Sequence, residues 1–126
     1  QIDLTRSAGL TGRRKVSKDV AFPVNAWWQN RSFHNYADHA LSEEFHAALK
    51  DLCETNTTQV TAIMCAEAVW WRCHRRIIAD YLLTKSYQVE HIMGPGQLMT
   101  AELSDGASPQ SDGSIVYPDS GDTIEA

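Results

Sequence analysis

The stretch Val60-Thr61-Ala62-Ile63-Met64-Cys65-Ala66-Glu67-Ala68-Val69-Trp70-Trp71-Arg72-Cys73-His74-Arg75-Arg76 sets the expected fold. Val60 to Met64 is a short apolar run bounded by polar residues, which fits a buried strand. Cys65 to Arg72 reads as a loop. His74 to Thr84 reads as a helix, with Ile77, Ile78, Tyr81 and Leu82 on one apolar stripe. Gln88 to Met93 reads as a second strand. Strand, helix and strand within about 30 residues predict a βαβ unit with parallel strands and a right-handed crossover. The expected fold class is therefore α/β, a parallel sheet with flanking helices in a Rossmann-like three-layer arrangement.

Upstream, two further helices are expected. Ser32 can cap a short one running through Tyr36 to about His39, and Ser42 a longer one. Glu43 and Glu44 then occupy a first turn, where the helix dipole favours acids. Phe45, Ala48, Leu49, Leu52 and Cys53 follow at helical spacing, and Asn56 to Thr58 end the helix. Residues 1–20 read as loop with a basic bias, from Arg6, Arg13, Arg14, Lys15 and Lys18. Two parallel strands need neighbours, and residues 1–59 offer no convincing strand. A truncated N-terminus is the expectation, and the opening Gln1-Ile2-Asp3 without a Met agrees with it.

Composition bounds the function classes. The chain has 126 residues, enough for one domain. Its 43% hydrophobic and 21% charged content are those of a soluble globular chain. No apolar run approaches the roughly 18 residues that span a bilayer, and no signal-peptide order is present at the N-terminus. Three cysteines (Cys53, Cys65 and Cys73) without a secretory signal fit reduced thiols and a cytoplasmic setting. The net charge of -5 is unevenly distributed. Six acids and no base lie from Gly94 onward, leaving ten acids against eleven bases in residues 1–93, a net +1. Residues 94–126, rich in Ser, Asp, Gly and Pro, are expected to be an acidic disordered tail after a folded part spanning 1–93.

The segment Cys65 to Arg76 is also where chemistry is expected. In an open parallel sheet, ligands bind beyond the carboxyl ends of the strands, and Cys65 would sit there. Arg72, Arg75 and Arg76 would lie at the N-terminus of the following helix, which itself attracts anions. Three arginines there are electrostatically unfavourable, each by a few tenths to about 1 kcal/mol, unless something negative answers them. Glu67, another carboxylate or a bound phosphate would supply it. Cys65 and Cys73 are candidate thiolates, and Glu67 and His74 candidate proton carriers. Phosphatase-like cradles share the order strand, Cys, loop, Arg, helix. Here six residues separate Cys65 from Arg72, one more than in those cradles, and the loop has no glycine to aim its amides at one phosphate. A metal site is disfavoured, since there is no C-x-x-C pair and the adjacent Cys73 and His74 diverge around a helix. No cofactor is indicated. The tryptophan pairs Trp27-Trp28 and Trp70-Trp71 can wall a pocket, stack on a base or simply pack a core.

Met64-Cys65-Ala66-Glu67, Trp71-Arg72-Cys73-His74-Arg75 and Ile78-Ala79-Asp80 closely resemble the C-terminal signature of the domain of unknown function 488 family. Asn25-Ala26-Trp27, Arg31-Ser32-Phe33 and Tyr36-Ala37-Asp38 resemble its upstream segment, and Gly12-Arg13-Arg14 its basic turn. The resemblance covers about residues 10–93. It implies a small bacterial α/β domain without an established activity. The family's N-terminal strand region, with a Gly-His-Ser turn and an Asp-Val-Arg motif, has no counterpart here, which agrees with the shortage of strands. The matching positions Cys65, Glu67, Cys73, His74 and Arg75 are the site residues the resemblance favours, and no catalytic role comes with them.

Three readings of function stay open. The first is an anion- or phosphate-binding domain, with enzymatic activity on a phosphorylated small molecule or nucleotide. The second is a nucleic-acid-binding module in which Arg13, Arg14, Lys15 and Lys18 join the helix arginines, although a near-neutral body gives phosphates little to hold. The third is a structural domain whose cluster is an internal ion-pair network. Self-association into a homo-oligomer is expected if a sheet edge is open.

Overall fold

The computed structural model describes residues 7–12, 14–57, 61–63 and 73–119. Among them are three α-helices, α1 (Arg31–His39), α2 (Glu43–Asn56) and α3 (Arg75–Thr84), and two short antiparallel hairpins. The first hairpin pairs β1 (Glu90–Gly94) with β2 (Gln97–Thr100), and the second pairs β3 (Ser108–Pro109) with β4 (Ile115–Val116). Two single 3-10 turns, Ala8–Leu10 and Phe22–Asn25, precede α1.

The parallel, Rossmann-like sheet expected from the sequence is not what forms. Residues 61–63 are not in a strand, and the expected strand at 88–93 runs antiparallel to the segment that follows it. The cause is local. Pro95-Gly96 is a two-residue turn in which Gly96 takes φ +70°, the left-handed region that glycine enters at little cost. A Pro-Gly turn reverses the chain at once, so Gln97–Thr100 folds back as partner to Glu90–Gly94, with a register shift between Ile92 and Gly94. No crossover helix separates the two strands, so they cannot be parallel.

The helices follow their own sequence signals. Ser42 accepts from Phe45 N at 3.2 Å and caps α2 as expected. For α1 the cap is Asn30, whose Oδ1 accepts from Ser32 N at 2.8 Å and Phe33 N at 3.4 Å. Ser32 lies one residue inside the helix. α3 starts after His74, which is itself in helical conformation and makes no side-chain cap bond. It ends with Tyr87 N bonded to Leu82 O and Ser86 N to Leu83 O, and Ser86 takes the left-handed φ of 69°. That reversal turns the chain off α3 toward β1.

The core lies where the three helices meet, around Tyr36, Phe45, Leu49, Ile77, Ile78 and Tyr81. Leu10 joins it from the N-terminal segment, which is pinned to α1 by Tyr36 Oη donating to Leu10 O at 2.6 Å and by His39 Nε2 at 2.7 Å from Gly9 O. Ile115 and Tyr117, within the stretch the composition marks as tail, are fully buried in the same core. The composition of 94–126 is hydrophilic on average, but Ile115 and Tyr117 enter the core and bond to Tyr81 and Asp80 of α3.

A chain of buried polar groups runs through this core. Asn25 Nδ2 donates to Asp38 Oδ1 at 2.7 Å, and Asn25 Oδ1 accepts from Tyr117 N at 3.0 Å. Tyr117 Oη donates to Asp80 Oδ2 at 2.8 Å, and Ser104 N to Asp80 Oδ1 at 2.9 Å. Asn25, Asp80 and Tyr117 are all essentially inaccessible to water. Burial pushes the carboxyls of Asp38 and Asp80 above the ordinary carboxylate range, against the opposing pull of these hydrogen bonds. Replacing Asn25 by Ala strips two partners at once and leaves the Asp38 carboxylate short of a donor in the interior. A loss of about 1–3 kcal/mol in urea denaturation is expected, and a change below about 0.5 kcal/mol, the range of an uninvolved surface position, would contradict this assignment.

Candidate functional site

The start of α3 brings together Cys73, His74 and Arg75, three of the residues singled out by sequence. Cys65, Glu67 and Arg72 lie outside the described residues, as does the pair Trp70-Trp71. Cys73, 3% exposed, sits one residue before the helix cap. Its Sγ accepts from Arg75 N at 3.4 Å and from Arg75 Nε at 3.3 Å, and His74 Nδ1 lies 3.6 Å away. The sulfur thus takes both a backbone N–H and a guanidinium N–H from one residue, Arg75.

His74 fills the space between this sulfur and the N-terminal segment. Its ring lies 4.9 Å from that of Tyr36, centre to centre. A Cβ placed on Gly12 would fall 2.7 Å from His74 Nδ1, so glycine at this position is what lets the ring approach. Gly12 is the first residue of the basic turn noted in the sequence, and Arg14 of that turn bonds back to Thr11 O and Ala8 O at 2.9 and 2.7 Å. Burial, then the charges of Arg75 and Arg14, holds His74 below the usual histidine pKa.

Arg76 goes elsewhere. Its guanidinium carbon lies 5.0 Å from the ring centre of Trp28 and 5.9 Å from that of Trp27, near Asp80. A cation on two indole faces is a stabilising contact of roughly 0.5–2 kcal/mol. Of the two described arginines at this helix start, Arg76 meets aromatic faces and lies near a buried carboxylate, and Arg75 donates to the Cys73 sulfur.

Arg75 also reaches a cleft of about 210 Å³ between the end of α2, residues 61–63, α3 and the approach to β1. It is lined by the apolar side chains of Leu52, Ile63, Ala79 and Leu82 together with Arg75, His91, Cys53, Tyr87 and Glu90. Burial and the Arg75 charge hold His91, like His74, below the usual histidine pKa. Sequence reasoning did not find His91, Cys53 or Tyr87 as neighbours of Arg75. Cys53 comes from α2, and Tyr87 and His91 from the stretch that leads into β1, so no single spacing along the chain links them to Arg75. Among the described residues no group of three or more His, Cys, Asp or Glu is placed to hold a metal ion, and no helix is long and apolar enough to cross a membrane.

The signature positions therefore divide into two sets. Asn25, Asp38 and Asp80 are buried in the polar chain, and Gly12, Cys73, His74 and Arg75 converge at the start of α3. A family model described as "Domain of unknown function DUF488" matches residues 2–82, well over half of the chain. The chain belongs to this family. No curated protein and no solved structure matches it. In this DUF488 chain the matched region holds both sets of signature residues. The two hairpins lie beyond it.

Three histidines, His39, His74 and His91, are held below their ordinary value chiefly by burial. A base with a depressed folded pKa binds fewer protons in the folded than in the unfolded state. Its contribution is intact above about pH 6.5 and is lost as pH falls through the folded pKa. The melting temperature should therefore drop between about pH 7 and about pH 5, and His74→Gln should make that drop shallower. An unchanged pH profile in the variant would show that His74 titrates alike in both states.

Proposed function

We propose that this DUF488 chain binds a small anionic molecule, a phosphorylated metabolite or nucleotide, in the cleft beside the start of α3, with Arg75 as the cation that holds it. The observation that carries this reading is the position of one guanidinium. Arg75 lines the cleft and at the same time donates through Nε to Cys73 Sγ at 3.3 Å. An anion in the cleft would meet a planar donor already oriented by a second contact, which lowers the ordering cost of binding. His91 lines the same cleft as a further donor. The apolar side chains of the lining suit the uncharged part of such a ligand. If the bound anion is also transformed, Cys73 and His74 are the described groups close enough to Arg75 to take part, as thiolate and proton carrier, with Cys65 and Glu67 on the adjoining stretch.

One observation favours a structural role for the sulfur instead. Cys73 is nearly inaccessible, and a nucleophile must be reached by its substrate. The two readings separate cleanly. Under the anion-site reading, calorimetry at low salt shows saturable binding of inorganic phosphate or of adenosine monophosphate. Arg75→Gln then weakens binding by about ten- to a hundredfold, the loss expected for a hydrogen bond to a charged group. Equal affinity in the variant, or no binding by the unaltered chain, would refute it and leave the cluster as internal structure. A steep fall of affinity for single-stranded nucleic acid with salt would instead point to the nucleic-acid module.

A further inference from the structure

We infer that the free edge of β2 is a self-association surface, on which β2 of one chain pairs antiparallel with β2 of a second copy and joins the two hairpins into one four-stranded sheet. β2 is exposed at every position. In its ladder with β1, Ala101 N donates to Val89 O at 2.9 Å, so residues 89 and 101 are a hydrogen-bonded pair. Such pairs alternate with non-bonded ones along an antiparallel ladder. His91 and Met99 are therefore the next bonded pair, and Leu98 and Thr100 turn their N–H and C=O groups away from β1. No described residue bonds those outward groups.

An open edge is ordinarily blunted by a lysine, a proline or an inward-pointing charge. None of these protects β2. From His91 to Ala101 the chain has no Asp, Glu, Lys or Arg, and its one proline there is in the turn. The side chains are apolar instead. Of the seven large hydrophobic residues exposed among the described ones, five lie between Ile92 and Leu103, each 38–66% exposed. Ile92 and Leu98 stand opposite each other on one face of the hairpin, at 66% and 60%. Met99 lies on the other face, at 43%. A two-stranded hairpin is marginal by itself in water, and a clustered apolar surface of this kind marks an interface.

A second copy is the occupant that matches this edge. A strand paired antiparallel with itself has a twofold axis, so each copy presents the surface the other needs and the assembly closes at two chains. With the axis at Met99, Leu98 lies opposite Thr100 of the second copy, and the two exchange both of their outward backbone bonds. Ile92 and Leu98 of both copies then share one face and form a continuous apolar stripe. The chain's net charge of -5 opposes self-association in general. The nearest acids, Glu90 and Glu102, lie at the open end of the hairpin, and the paired edge itself is neutral. A stable interface takes about 500 Å² or more from each copy, and the five exposed side chains are the apolar part of that area.

Sedimentation velocity tests the pairing. The unaltered chain should sediment at twice its 14.1 kDa. Thr100→Pro removes an outward N–H and no apolar surface, a change that an edge strand tolerates. It should weaken the dimer at least about tenfold, and Leu98→Lys should do the same by placing a charge on the stripe. Val16→Lys alters a side chain that is as exposed as Ile92 but lies outside the hairpin, and it should leave the dimer unchanged. An unaltered chain that stays at the mass of one copy up to about 100 μM would overturn the inference. A dimer lost in Leu98→Lys but kept in Thr100→Pro would place association on a face of the hairpin and overturn the edge pairing, and growth beyond two chains would overturn the twofold closure. None of these readouts depends on Arg75 or on anion binding.

Discussion

The Asp80 carboxylate is 1% exposed, and much of the molecule is arranged around keeping it solvated by protein. An ionised carboxylate moved out of water costs several kcal/mol unless it is paired and hydrogen-bonded. Here one oxygen takes Ser104 N and the other takes Tyr117 Oη, while Arg76, one turn earlier on α3, adds a positive charge nearby. Two of these three come from the C-terminal hairpin region. A helix carrying this residue in a core would be unstable by itself, so α3 and the 104–117 segment need one another. From Tyr117 the chain of hydrogen bonds passes to Asn25 and Asp38, and so ties α1 and α3 together through polar contacts as well as apolar ones. A half-satisfied network of this kind is worse than an apolar core, which accounts for the joint presence of Asn25, Asp38, Asp80 and Tyr117.

The position of the candidate site follows from that anchoring. α3 is fixed near its middle by Asp80, Tyr81 and the buried face of Ile77 and Ile78, so its first residue projects to a set place above the N-terminal segment. Gly12, held there by the bonds of Arg14 to Thr11 O and Ala8 O, leaves room for His74. The close approach of Gly12 and the buried carboxylate are thus two ends of one constraint: the first locates His74, the second orients the helix that bears it.

What was legible in the sequence was what is local. The caps and apolar stripe of α2 and α3 depend on residues three or four apart, and the structure places α2 and α3 within a residue of where those signals put them. The sheet was not legible, because a short apolar run such as 60–64 has no periodicity of its own and needs a partner strand to become one. Pro95-Gly96 is a turn signal in its own right, but composition beyond it read as tail, so a hairpin passed for an end. Ile115 and Tyr117 show the same difficulty in sharper form. Their partners Tyr81, Asp80 and Asn25 are tens of residues away, and a polar segment with two buried side chains averages to polar. Of the candidate site, the cationic residue was visible through its charge at a helix start, while its cleft neighbours His91, Cys53 and Tyr87 converge only in three dimensions.

Three arginines near one helix start invite a polyanion as the partner, but the two that lie among the described residues, Arg75 and Arg76, go different ways. Arg76 is spent on two tryptophans and a buried carboxylate, and Arg75 alone of the described pair lines the cleft. A nucleic acid binds by neutralising many phosphates across an extended positive face, and residues 1–93 carry a net charge of only +1. On the anion-site reading proposed above, an oriented guanidinium lining a cleft of about 210 Å³ would meet one phosphate on a small molecule. The pair Trp27-Trp28, which from sequence could have stacked on bases, is engaged within the fold: Trp28 is in the core, and Trp27 lies under Gly106, where a Cβ would come within 2.1 Å of the indole. Among the described residues, Arg76 and the Trp27-Trp28 pair are thus engaged with one another inside the fold, and Arg75 is the arginine at the start of α3 that lines the cleft.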